Sequence, residues 1–133
     1  KFSKWYCTDP HLKKLLAANQ WPHPWHPTLE DCHASITGCE TLVARTGSLM
    51  LSSKIAGGRT TSVYAPVHIC IAYTTQLVYD ISDALALLQK KYKDQLPSFF
   101  TLASGPSRTA DIEKTLVTGV HGPKEVFCFL VDA

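Results

Sequence analysis

Four stretches of this chain combine residue types that can grip an anion or move a proton. In the first, a strand-like run over residues 40–45 leads into Thr46-Gly47-Ser48. A glycine between two hydroxyls lets backbone approach a ligand closely and offers N–H and O–H donors to a carboxylate or phosphate. The same three residues also suit a tight turn between strands. In the second, Arg59 follows Gly57-Gly58, and His68 stands in Pro66-Val67-His68 at the head of another apolar run. A guanidinium can hold a carboxylate or phosphate through two parallel hydrogen bonds. A histidine in that position can be an acid, a base or a ligand, and equally a core residue whose hydrogen bonds are satisfied.

The third stretch is Ser104-Gly105-Pro106-Ser107-Arg108-Thr109-Ala110-Asp111-Ile112-Glu113. A strand, a Gly-Pro turn and hydroxyls at the start of a helical segment would gather free N–H groups, the helix dipole and Arg108 around an anion. The competing reading has Thr109 capping a short helix and Asp111 complementing its dipole. The fourth, Gly119-Val120-His121-Gly122-Pro123, sets a histidine between glycines, uncrowded as a proton shuttle needs to be. Taken together, Thr46, Gly47, Ser48, Arg59, Gly105, Ser107, Arg108 and Thr109 form the candidate anion-binding set. His121, Glu113 and His68 are the candidate proton carriers, provided the loops meet at one end of a sheet.

No metal centre is expected. His23, His26, Cys32 and His33 match no Cys/His ligand spacing, and three prolines at positions 22, 24 and 27 limit their convergence. The chain has no iron–sulfur cysteine run, no G-x-G-x-x-G and no G-x-x-x-x-G-K, which leaves the cofactor unknown.

The elements that must position these residues follow from local patterns. Residues 1–8 read as a strand. Asp9-Pro10 supplies an N-cap and a first-turn proline, with Leu12, Leu15 and Leu16 giving a helix one apolar face up to about Asn19. Residues 21–27 form a stiff proline-rich loop laid over something. Strands are expected over 34–37, 40–45 and 48–52 as a hairpin-like set, over 67–73, over 99–103 and over 126–131. A turn is expected at Gly57-Gly58. Residues 80–92, with Ile81, Ala84, Leu85, Leu88 and Tyr92 on one face, read as an amphipathic helix whose Lys90, Lys91 and Lys93 lie in solvent at its C-terminal end. Helices and strands alternate, so the class is α/β.

Bulk properties agree. Apolar residues make up 45% and charged residues 18% of the 133, enough to fill one core and too little repulsion to keep the chain open. Thirteen lysines and arginines are scattered at a net charge of +2, so no basic stripe suggests nucleic acid. No apolar stretch nears the ~20 residues that cross a bilayer, and no membrane association is expected. Five cysteines without a C-x-x-C pair read as reduced thiols of a cytoplasmic protein, with Cys7, Cys70 and Cys128 buried among strand residues.

The third and fourth stretches, followed by an apolar strand ending in Asp132, carry a family resemblance. Upstream, Ile36-Thr37-Gly38-Cys39-Glu40, Ala44-Arg45-Thr46-Gly47-Ser48, Gly58-Arg59 and Pro66-Val67-His68-Ile69 fall in the matching order and spacing. The chain resembles the lactate-utilisation protein C family of LUD-domain proteins over residues 36–132, and more loosely before them. The resemblance implies a single α/β domain over 1–133 with a NagB/RpiA/CoA-transferase-like sheet flanked by helices. It also implies the C-terminal portion of a longer bacterial protein, preceded by a helical leader and a strand–helix unit. A strand missing from the sheet would leave an edge open to self-pairing, hence a homo-oligomer. The implied role is an accessory or small-molecule-binding component, beside iron–sulfur subunits, of a system oxidising L-lactate to pyruvate. The alternative is a self-contained acyl- or phospho-transfer or isomerase-type enzyme acting on a small anionic metabolite.

Overall fold

Asp9 starts the first helix as its type allows: its carboxylate accepts from the backbone N–H of His11 at 2.9 Å and of Leu12 at 3.4 Å, while Pro10 fills a position where no N–H is needed. In the computed structural model, which describes residues 3–54, 65–97, 100–103 and 123–132, this helix α1 spans Pro10–Ala18. Gln20, at φ +65°, turns the chain out of it. It follows the two-residue strand β1 (Trp5–Tyr6). Next come β2 (Ala34–Thr37), β3 (Thr41–Val43), β4 (Ser48–Ser52) and β5 (Val67–Tyr73). A 3-10 turn (Thr74–Gln76) leads to β6 (Leu77–Val78), helix α2 (Ile81–Tyr92), β7 (Phe100–Ala103) and β8 (Glu125–Val131).

The strands form two four-stranded sheets. The first, in the order β1-β2-β5-β8, is wholly parallel, with Ile36 beside Ile69 and Ile69 beside Phe127. The second runs β6-β3-β4-β7, with β3 and β4 as an antiparallel hairpin and β7 antiparallel to β4. Only β3 and β4 of the expected hairpin set pair as a hairpin. β2 instead joins the parallel sheet, because its four residues are buried on both faces and need cover that a hairpin edge would not give.

Period-2 alternation sorts the core into layers. Ile36, Ile69 and Ile71 meet Leu12, Leu15 and Leu16 of α1 on the outer face of the parallel sheet. Its inner face, through Cys70 and Ala72, packs on Leu49 and Leu51 of β4 with Cys39 between. The opposite face of the second sheet, Val43 and Met50, packs on Ala84 and Leu88 of α2. Among the described residues the order is helix, sheet, sheet, helix. The proline-rich loop lies over the outer face: Trp21 stacks on Trp25 with centroids 5.4 Å apart and meets Trp5 edge-on at 5.0 Å, and His23 stacks on Trp5.

Helix α2 is capped at both ends of its first turn. Asp80 accepts from the N–H of Ile81 at 2.7 Å, and Asp83 accepts from the N–H of Asp80 at 3.1 Å. Cys7 and Cys70 are buried as expected, but Cys128 is exposed. β8 has one strand neighbour among the described residues, so the apolar run that read as a buried strand lies at a sheet edge.

Candidate functional site

His68 is the second residue of β5, and the pleat turns it to the inner face between the sheets, where it is 1% exposed. The last residue of β2, Thr37, lies diagonally across from it on the same face. The two side chains meet at 2.8 Å between His68 Nε2 and Thr37 Oγ1. Thr37 already donates its hydroxyl proton to the carbonyl of Gly38 at 2.9 Å, so Oγ1 accepts and His68 Nε2 donates. Burial favours the uncharged ring and holds the imidazole pKa down at about 4. With buried Ser35 beside it in register, His68 belongs to a polar stripe set into an otherwise apolar inter-sheet layer.

Thr46-Gly47-Ser48 closes the β3–β4 hairpin. Gly47 takes φ +65°, a conformation side chains resist, and a Cβ there would meet nothing within 4 Å among the described residues. Thr46 Oγ1 and Ser48 Oγ bond each other at 2.7 Å. The turn is pinned by backbone bonds from Ala44 N to the carbonyl of Val78 and from Arg45 N to that of Tyr79. Arg45 Nε donates to Asp80 Oδ1 at 3.1 Å, and that hydrogen bond, after the one from Ile81 N–H, holds the Asp80 carboxyl below its usual pKa. The tight-turn reading of these residues therefore holds, with open space above Gly47 among the described residues. Strand β7, which leads towards Ser104, ends at Ala103 opposite Leu49, one residue from Ser48. The hairpin turn and the last residue of β7 thus lie at the same end of the second sheet.

Of the remaining candidates, Arg59, Gly105, Ser107, Arg108, Thr109, Glu113 and His121 lie outside the described residues, as does the Gly57-Gly58 turn. Among the described ones, Thr46 and Ser48 are brought together, while His68 sits apart from them in the inter-sheet layer.

The sequence reading missed a second polar centre. Glu40, 5% exposed, accepts from Ser52 Oγ and from Tyr92 Oη at 2.7 Å on one oxygen, and from Lys91 Nζ at 3.1 Å on the other. Partial burial works against the Lys91 charge, but the hydrogen bond and charge of Glu40 outweigh it and raise the ammonium pKa. Burial and the same carboxylate raise the Tyr92 phenol. Lys90 and Lys91 do lie in the last turn of α2, but Lys91 also reaches back to the sheet. A cavity of about 160 Å³ beside this centre is lined by Glu40, Thr41, Gln76, Leu88 and Lys91 among others. The buried Thr41 hydroxyl next to it has no hydrogen-bond partner among the described residues. A single acidic residue in an apolar run, just before a strand, was the available signal.

The family model of the LUD domain matches residues 23–131. An uncharacterized protein of Neisseria meningitidis serogroup B is 39% identical over 93 residues, 70% of this chain and 40% of that protein. Proteins named lactate utilization protein C are 32% identical in Bacillus licheniformis, over 77% of this chain and 44% of the relative, and 30% identical in a Geobacillus strain, over 92% and 58%. The chain thus spans about half the length of these curated relatives. A crystal structure of a DUF162 family protein from Deinococcus radiodurans superposes with a TM-score of 0.58 at 18% identity, covering 98% of this chain and 88% of that one, which shows a shared fold.

Proposed function

From the premise that this chain belongs to the LUD-domain family, we propose that it serves L-lactate utilisation as a small-anion-binding component working beside iron–sulfur subunits in the cytoplasm. The observation that carries the reading is its similarity to proteins named lactate utilization protein C. No helix among the described residues is long and apolar enough to cross a membrane, which agrees with the proposed location. Kinship with the NagB/RpiA/CoA-transferase group is part of the same proposal.

In this reading the anion sits where the hairpin turn meets the segment after β7. Thr46, Gly47 and Ser48 offer donors from one side, and Arg59, Gly105, Ser107, Arg108 and Thr109 from the other, with His121 and Glu113 as the proton-carrying groups. Support comes from the register that ends β7 beside the turn. His68 lies apart from this turn, a neutral ring fixed by Thr37 that holds its hydrogen bond without placing a positive charge between the sheets.

The deciding experiment is gene deletion in the source bacterium with growth on L-lactate as sole carbon source, joined to affinity purification from lactate-grown cells. Lost growth and co-purified iron–sulfur proteins are expected. Normal growth with no such partner would refute the role. Turnover of a small anionic metabolite by the purified protein alone would replace it with the self-contained enzyme.

A further inference from the structure

We propose that β8 is the contact strand of a homodimer, in which two copies pair their β8 strands antiparallel about a twofold axis passing through Cys128. β8 is seven residues long and ends the parallel sheet, with β5 its one strand neighbour among the described residues. Its outer edge therefore presents backbone donors and acceptors to any strand that can line up with it. From Val126 to Val131 the strand is apolar on both faces, yet Phe127 is 45%, Phe129 56% and Leu130 52% exposed. Exposed edges in monomeric proteins usually carry lysine, proline or a bulge in the strand interior, and residues 126–131 hold no charge and no proline.

The sequence of the strand says what covers it. A twofold axis requires the contact to be self-complementary, each residue facing one whose number gives a constant sum. Centring the pair on Cys128, the midpoint of β8, sets Phe127 against the second copy's Phe129, and Val126 against its Leu130. Directly opposed residues then share a face, so the central pairs on both sides of the joined sheet are apolar, the unit that stabilises strand association, while at each end of the strand Glu125 faces the second copy's Val131. One step beyond each strand end, Lys124 faces the second copy's Asp132, a cation against an anion, twice over by symmetry. Both residues are exposed. Such a match at the centre, the flanks and the charged ends fits a second copy of this chain better than an unrelated peptide. The two Cys128 thiols would face each other with Cα atoms at an antiparallel spacing of about 4.5–5.5 Å, within the range a disulfide spans.

Sedimentation velocity of the purified chain in reducing buffer, over a concentration series, tests the proposal. A monomer–dimer equilibrium is expected. Phe129→Lys, at an exposed position, should weaken it by about tenfold or more while leaving circular dichroism unchanged. The register has its own test: Lys124→Asp and Asp132→Lys should each weaken the dimer, and the double swap should restore it. Copper–phenanthroline oxidation should join two wild-type chains, and Cys128→Ser should lose the crosslink but keep the dimer. A chain that stays monomeric throughout, or a dimer indifferent to Phe129→Lys, would overturn the contact. A double swap no tighter than either single variant would overturn the register.

Discussion

His68 keeps its ring uncharged down to a pH near 4, whereas the same histidine in the unfolded chain takes up a proton around pH 6.5. The unfolded state therefore binds more protons between those values, and the sign is fixed: the contribution is complete above pH 6.5 and declines as pH falls towards 4. The decline amounts to about 3 kcal/mol. Urea unfolding at a series of pH values should show this slope, and His68→Gln, which retains a donor for Thr37, should flatten it. Thiol reactivity divides at the same scale. Cys7 and Cys32 are raised in pKa chiefly by burial, and Cys70 first by its hydrogen bond with Cys39 and then by burial. A thiol reagent applied to dilute native protein should label Cys128 first and the four buried cysteines only on unfolding. The prominence of His68 was legible from its place before an apolar run. Glu40 was not, because its partners Ser52, Lys91 and Tyr92 come from other elements, and nothing in a local window announces a contact across fifty residues.

Both described helices were legible nearly to the residue, since caps and the spacing of leucines are local properties: Asp9 was marked by type, and Leu12 and Leu88 by period. Leu88 is buried against Val43 and Met50, and Leu88→Ala should destabilise by about 2–5 kcal/mol in equilibrium unfolding. The same helix is tied to the sheet by a buried carboxylate. Glu40→Gln should cost about 1–3 kcal/mol, because Ser52 and Tyr92 would then compete for a weaker acceptor. Lys91→Ala should cost less than about 1 kcal/mol, since the lysine side chain is 58% exposed and its pairing is screened by water. Strand partners were less legible than strand positions. A run such as residues 34–37 states that it must be covered on both faces, and says nothing of which neighbour covers it.

At the level of the whole molecule, alternating elements were enough for the α/β class, but the stacking, among the described residues, of two sheets between two helices was not visible. Both sheets draw on short apolar runs of the same character, and only long-range pairing, such as β4 with β7, separates them. The candidate anion site is a property of this scale, because it requires the turn at Gly47 and the segment leaving Ala103 to act together. Thermal denaturation with L-lactate, pyruvate and inorganic phosphate should raise the midpoint for at least one of them, and Arg108→Ala should remove the rise without lowering the ligand-free midpoint. All three tryptophans of the chain, Trp5, Trp21 and Trp25, are gathered against α1. Intrinsic emission excited at the red edge of absorption is therefore a local probe of one outer layer, silent about the Glu40 centre on the far side of both sheets. A denaturation curve followed by tryptophan light and one followed by far-ultraviolet ellipticity will coincide only if the four layers come apart together. Any gap between the two midpoints measures how independently the α2 side can open.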